Sequence, residues 1–97
     1  MLDIGAATGF FMDLARKRGW GTKGIEISEY AVKEARKKGL DVIPGILENA
    51  GFRDNSFDAV TMWDVLEHLL DPSKFMKVAN SILKKGGVLA VNTPDSA

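Results

Sequence analysis

Short apolar segments alternate along this chain with longer segments in which apolar residues recur at helical spacing. A short apolar run between turn residues is typical of a buried strand. Such runs predict five strands, at 2–4, 22–27, 40–43, 57–62 and 88–91. Because strands that alternate with helices form right-handed βαβ units, the pattern predicts an α/β domain with a doubly wound parallel sheet.

The first helix is predicted to span 9–18, directly after a glycine-containing turn. Phe10, Phe11 and Leu14 recur at helical spacing and would share one face. We therefore expect the two phenylalanines to pack in the core rather than to contact a ligand. Gly19 is a suitable residue at which to end this helix.

The other two helices have recognisable ends. Ser28 is a good N-cap for the second helix, and Gly39 follows its last turn. Asp71 and Pro72 form a strong start for the third helix, with the aspartate as N-cap and the proline in the first turn. We expect the third helix to include two lysines in its last turn and to end at Gly86.

Asp58 stands within the largely apolar fourth strand. A buried carboxylate must be hydrogen-bonded, because its loss of hydration is otherwise costly. We therefore expect Asp58 to be buried and structural, accepting hydrogen bonds from backbone near the start of the strand.

Composition and charge narrow the class of protein. The length of 97 residues predicts a single domain over 1–97. Its 13 basic and 13 acidic side chains cancel, so we expect no nucleic-acid partner. No cysteine is present, which excludes disulfides and fits a cytoplasmic location. No apolar run approaches the ~18 residues of a membrane span, so no membrane partner is expected.

The first strand leads into a turn with Gly5 and Gly9, and a helix follows. The free N–H groups and the positive dipole end of that helix can bind an anionic group. The spacing does not match the G-x-G-x-x-G fingerprint, so a plain strand-to-helix connection is an alternative. Glu26 follows the turn by about 20 positions, where a carboxylate can accept hydrogen bonds from ribose hydroxyls. Together these features favour a nucleotide site.

Five segments in the same order resemble the class I S-adenosylmethionine-dependent methyltransferases: 3–9, 24–28, 54–60, 63–68 and 82–89. The resemblance covers nearly the whole chain. It implies a Rossmann-like sheet with strand order 3-2-1-4-5, and S-adenosyl-L-methionine as the cofactor. Two positions depart from the family pattern: Ala7 stands where glycine is usual, and Ile46 where an acidic residue commonly binds the adenine amino group. Adenine recognition would then depend on backbone near Leu47 or on Glu48.

The resemblance also implies a role for residues at the carboxyl ends of the strands. Asp3 and the backbone of the turn from Gly5 to Gly9 would hold the methionine part of the cofactor. Glu26 would hold the ribose. Ile27 and Leu47 would flank the adenine, and Trp63 and Asp64 would border the methionine end and the substrate entrance. Packing in the core is an equal alternative for Trp63. The cofactor-binding residues implied are Asp3, Gly5, Ala7, Gly9, Glu26, Ile27, Leu47, Trp63 and Asp64.

Asp64, Glu67 and His68 are spaced so that one helical turn would place them on one face. Two carboxylates and an imidazole suit a divalent cation such as Mg²⁺. His68 could instead be a catalytic general base that takes a proton from a hydroxyl acceptor. A structural role for Glu67 and His68, bonded to nearby backbone, is the third interpretation.

We predict S-adenosylmethionine-dependent methyl transfer to an acceptor that is a small molecule. A fragment of an NAD-binding Rossmann dehydrogenase and a non-catalytic α/β interaction module are the alternatives. The chain shows no counterpart of the last two strands that the family usually carries, so we expect a fragment of a longer enzyme with weak activity by itself. Its fifth strand would form an apolar sheet edge, which favours self-association.

Overall fold

The computed structural model describes residues 1–63 and 72–92 of the chain. Its strands are β1 (Leu2–Ile4), β2 (Lys23–Glu26), β3 (Val42–Pro44), β4 (Phe57–Trp63) and β5 (Leu83–Asn92). Its helices are α1 (Phe10–Lys17), α2 (Glu29–Lys37), α3 (Pro72–Ile82) and a 3₁₀ helix (Leu47–Asn49). The predicted α/β fold class is confirmed, and no helix of the described ranges is long and apolar enough to cross a membrane.

The strands of the described chain form one parallel sheet in the order β3-β2-β1-β4-β5, which confirms the predicted order. β1 is central: Asp3 is in register with Gly24 of β2 on one side and with Thr61 of β4 on the other. The chain order reverses direction across the sheet at β1 and β4. In an open α/β sheet, ligands bind outside the carboxyl ends of the strands at such a switch point.

Two apolar clusters lie on opposite faces of the sheet. Val42 belongs to one cluster while its neighbour Ile43 packs against the other, because successive side chains of a strand point to opposite faces. The larger cluster includes Phe75 of α3, which is 1% exposed, and burial of such a side chain contributes about 1.5–3 kcal/mol. The smaller cluster joins α1 and α2 to the sheet and consists of Ala6, Met12, Val32, Ala35, Leu40 and Val42.

The buried face of α1 differs from the prediction. Met12 and Ala15 are buried, whereas Phe10 is 72% exposed and Leu14 is 46% exposed. The expectation that Phe10 packs in the core is therefore wrong. At about 100° per residue, the positions of Phe10 and Leu14 lie on the side of the helix opposite Met12. The face that meets the sheet is thus centred on Met12 and Ala15.

The N-terminus of α2 agrees with the prediction, since Ser28 Oγ accepts a hydrogen bond from the backbone N–H of Ala31 at 3.2 Å. The following strand begins two residues later than predicted. Leu40 N–H donates to the carbonyl of Ala35 at 3.2 Å, so this residue still completes the end of the helix. β3 consequently begins at Val42.

The third helix is shorter than predicted, and the fifth strand is longer. α3 ends at Ile82, and β5 begins immediately at Leu83, so Gly86 lies within the strand segment rather than at the helix end. The backbone N–H groups of Asn55 and Ser56 donate to the last two helix carbonyls at 3.0 and 2.7 Å. These loop donors bind carbonyls that another helical turn would have used, so the helix stops there.

Asp58 is not buried, contrary to the prediction. Its side chain is 75% exposed and forms an ion pair with Lys84 at 3.4 Å. The pairing of β4 with β5 is irregular between Phe57 and Ala59, and this irregularity coincides with the exposed start of β4. Water therefore solvates this carboxylate, and an exposed pair of this kind contributes little to stability.

Candidate functional site

The turn after β1 has an unusual backbone. Gly5, Ala7 and Gly9 all have positive φ, at 72°, 51° and 88°. Glycine adopts this region without cost, whereas alanine is strained there. The N–H groups of Gly5 and Ala6 both donate to the carbonyl of Ile25, at 2.8 and 3.1 Å, which joins the turn to β2.

Glu26 connects this turn to the start of α2. Its Oε1 accepts from the backbone N–H of Ala7 at 2.8 Å, and its Oε2 accepts from the backbone N–H of Ser28 at 2.8 Å. The carboxylate is thereby held at the carboxyl end of β2, next to the switch point. Each carboxylate oxygen can accept a further hydrogen bond, so a ribose diol could still bind there.

Asp3 lies beneath the same turn and is 1% exposed. Thr61 Oγ1 donates to Asp3 Oδ1 at 2.8 Å. The pKa of Asp3 is raised from 3.8 to about 6. Burial is the main cause, the hydrogen bond from Thr61 lowers the pKa, and the negative charge of Glu26 adds a smaller rise. Two carboxylates at the ends of neighbouring strands create a negative potential that favours a cationic ligand group.

The residues expected at the adenine differ in their exposure. Ile27, directly after Glu26, is 73% exposed, and Ile46 is 41% exposed. Leu47 is 3% exposed because its side chain packs in the larger core cluster. An aromatic ring at this edge could therefore pack on the two isoleucines and meet only the backbone of Leu47.

The remaining candidates lie at or beyond the end of β4. Trp63 is the last residue of that strand, in register with Asn92 of β5. Asp64, Glu67 and His68 lie outside the described residues, so their metal-binding and general-base roles stay predictions. Within 1–63 and 72–92, no three histidine, cysteine or acidic side chains come together as a metal site.

Two contributors to the site were not identified from the sequence. Thr61 holds Asp3, and the only sequence signal was a polar residue in an apolar strand, which gains meaning once β4 is placed beside β1. Lys38 Nζ donates to the carbonyl of Thr8 at 3.1 Å and so connects the end of α2 to the turn. No local sequence pattern indicates this contact.

Known families of this fold can be compared by three features: the glycine turn, the acidic end of β2 and the strand order. The sequence profile of the methyltransferase domain family matches residues 2–91. The chain belongs to this family. The match covers all described strands except the last residue of β5. It therefore includes the turn and the two carboxylates of the site, buried Asp3 and half-buried Glu26.

Relatives and solved structures agree with this assignment. The ubiquinone biosynthesis O-methyltransferase of Xanthomonas oryzae pv. oryzae is 30% identical over an alignment of 100 positions, which covers 96% of this chain and 42% of the relative. That of Caulobacter vibrioides is 32% identical over an alignment of 104 positions, which covers 96% of this chain and 40% of the relative. The crystal structure of an S-adenosylmethionine-dependent methyltransferase from Thermotoga maritima superposes with a TM-score of 0.81 at 38% identity, covering 93% of this chain and 42% of that one.

The comparisons confirm the predicted enzyme class and its cofactor, S-adenosyl-L-methionine, at the level of the family. The chain spans about two fifths of the length of the curated relatives it matches. The site described above lies wholly within residues 2–91, which match the family profile.

Proposed function

We propose that this methyltransferase domain binds S-adenosylmethionine at the carboxyl edge of its sheet and takes part in methyl transfer to a small-molecule acceptor. The observation that carries the proposal is the position of Glu26. Its carboxylate is fixed by backbone N–H groups on either side, at 2.8 Å each, at the carboxyl end of β2 and next to the switch point of the sheet. A fixed carboxylate in this place suits a ribose diol.

The residues present fit the cofactor. The turn from Gly5 to Gly9 would hold the methionine part together with Asp3, whose charge complements an ammonium group. Glu26 would hold the ribose, and exposed Ile27 would pack against the adenine. In this proposal Leu47 contributes its backbone, since its side chain is in the core.

Methyl transfer requires chiefly that the protein orient the cofactor and the acceptor. When bound, the cofactor supplies a methyl group on a sulfonium, which an acceptor atom attacks in line while the carbon–sulfur bond breaks towards sulfur. The chain's own residues would fix the methionine and ribose ends, so that the methyl group faces the substrate entrance. Trp63 and Asp64 would border that entrance.

A hydroxyl-bearing small molecule is the acceptor class that we propose. Support comes from the curated relatives, which are O-methyltransferases of ubiquinone biosynthesis. Such an acceptor must lose a proton, and His68 is the residue proposed to take it. A divalent cation held by Asp64, Glu67 and His68 is the alternative, and omission of Mg²⁺ from the assay distinguishes the two.

Calorimetric titration with S-adenosylhomocysteine and, separately, with NAD tests the proposed ligand. We expect S-adenosylhomocysteine to bind and NAD not to bind. Glu26→Ala should weaken S-adenosylhomocysteine binding by about 1–3 kcal/mol, because the ribose hydroxyls lose their acceptor. Glu34→Ala is the matched control, since Glu34 pairs only with Lys37 in the described chain and lies on the next helix. Equal affinity of the Glu26 and Glu34 variants would remove Glu26 from the site, and binding of NAD instead would favour a dehydrogenase.

Self-association through β5 is a further part of the proposal. In the described residues β5 pairs only with β4, and its Val88 and Val91 are 61% and 39% exposed. An uncovered strand edge of this kind pairs readily with another strand. Sedimentation at about 100 μM should show a dimer or larger species, and Val88→Lys should shift it towards monomer. A wild-type monomer under these conditions would contradict the proposal.

We also propose that the domain has no nucleic-acid or membrane partner and resides in the cytoplasm. The balanced charge of 13 basic and 13 acidic residues supports the first point, and a chain without cysteine suits a reducing compartment. Binding to labelled RNA or to anionic vesicles would contradict the first, and fractionation of cells that produce the protein would test the second.

A further inference from the structure

Thr61 is an unusual residue for its position. It lies in the middle of a parallel strand between Val60 and Met62, both fully buried, and is itself 7% exposed. A valine would have the same shape there and would avoid burying a hydroxyl, which costs free energy unless it is hydrogen-bonded. The hydroxyl donates to Asp3 Oδ1 at 2.8 Å, across the β1–β4 pairing.

The Asp3 carboxylate is the true acceptor of this hydroxyl. The other acceptor within reach is the carbonyl of Leu2, at 3.5 Å. A hydroxyl carries one proton, and a bond at 2.8 Å to a carboxylate is much stronger than one at the 3.5 Å limit. The bond therefore fixes the orientation of a carboxyl group that is 1% exposed.

We propose that Thr61 is a positioning residue, which holds the buried Asp3 carboxyl in one orientation through its hydrogen bond so that the site attracts the ammonium group of the ligand. This inference rests on the proposed function. Asp3 acts from beneath the glycine turn, where low dielectric strengthens the interaction between its charge and a cation bound above. Thr61 acts only through Asp3.

The electrostatic balance at Asp3 explains why a donor is needed. Burial and the neighbouring Glu26 carboxylate both raise the pKa of Asp3, while Thr61 lowers it. In the described chain these are the groups that act on it, Glu26 from the end of β2 and Thr61 from β4. Without the hydroxyl, the pKa of Asp3 moves towards neutrality, and the carboxyl becomes partly protonated where the cofactor must bind.

The test measures S-adenosylhomocysteine affinity by calorimetry from pH 5.5 to 8.5 for the wild type, Thr61→Val and Thr61→Ser. Loss of one hydrogen bond to the charged form should raise the pKa of Asp3 by about one pH unit in Thr61→Val. Starting from a pKa of about 6, that shift weakens binding about fivefold at pH 6, and the difference should nearly vanish at pH 8.5. Thr61→Ser should restore the wild-type profile. Thr22→Val, at the opposite end of the sheet, is the matched control.

A second readout does not depend on the ligand. The carboxyl carbon of Asp3, labelled with carbon-13 and assigned through Asp3→Asn, reports its pKa directly by NMR. We expect a rise of about one pH unit in Thr61→Val, and no rise in Thr61→Ser or Thr22→Val. Thr61→Ala replaces Thr61→Val if the valine variant does not fold.

The outcomes separate the inference from the proposed function. A pKa of Asp3 that is unchanged in Thr61→Val overturns the inference, as does a loss of affinity that is equal at every pH. Absence of S-adenosylhomocysteine binding by the wild type overturns the proposed function, and the carbon-13 titration then decides the role of Thr61 alone. A profile shifted to higher pH and rescued by serine supports both.

Discussion

Replacement of Asp3 by asparagine should make the ligand-free protein more stable at neutral pH. The pKa of Asp3 is raised from 3.8 to about 6 in the folded protein, chiefly by burial. Folding therefore favours the protonated carboxyl, and ionisation of Asp3 destabilises the folded state as the pH rises from about 4 to above 6. At about 1.4 kcal/mol per pH unit, the full difference is about 3 kcal/mol.

Asparagine keeps the shape of the side chain and an oxygen that accepts from Thr61, but carries no charge. We expect Asp3→Asn to gain about 2–3 kcal/mol of unfolding free energy at pH 7 and almost nothing at pH 4. Urea unfolding of both proteins at pH 4, 5, 6 and 7 measures this. Asp13→Asn is the control of opposite sign, because the hydrogen bonds from Lys17 and Arg16 lower the pKa of the partly exposed Asp13 carboxyl. That variant should lose a little stability at pH 7.

If Asp3→Asn gains no unfolding free energy at pH 7, or gains the same amount at every pH, the argument that burial of the Asp3 charge is costly is refuted. The same variant should bind S-adenosylhomocysteine more weakly than the wild type. A variant that is more stable but binds S-adenosylhomocysteine more weakly would show that the charge of Asp3 is retained for binding. Such a loss of stability is common at functional sites.

Two further substitutions test the packing of the site. Gly24→Ala should cost about 1–3 kcal/mol of unfolding free energy, because a Cβ there lies 2.5 Å from Met12 Sδ. Gly21→Ala is the control, since the space around Gly21 is open. Equal stability of the two variants would contradict the packing argument. Ala7→Gly should stabilise the turn by about 0.5–1 kcal/mol, because Ala7 has a φ of 51°. Ala50→Gly, at an ordinary φ of −76°, should instead destabilise, and thermal unfolding compares the two.

Several features of this protein could be predicted from the sequence because they depend on residues close together in the chain. The positive φ angles of the turn need Gly5 and Gly9, and Ser28 caps α2 through the N–H only three residues away. The strand order followed from the family pattern and from the handedness of βαβ units. Glu26 was correctly placed at the end of β2, beside the turn.

Other features were decided only by the tertiary structure. Phe10 is exposed because the orientation of α1 on the sheet places Met12 inward, and that orientation depends on packing between helices rather than on the order of apolar residues. α3 ends at Ile82 because loop residues from another part of the chain donate to its last carbonyls. Thr61 and Asp3 are 58 residues apart along the chain, and they meet only because β4 pairs with β1 in one particular register. Local propensity carries no information about such non-local hydrogen bonds, since they exist only after the sheet has formed.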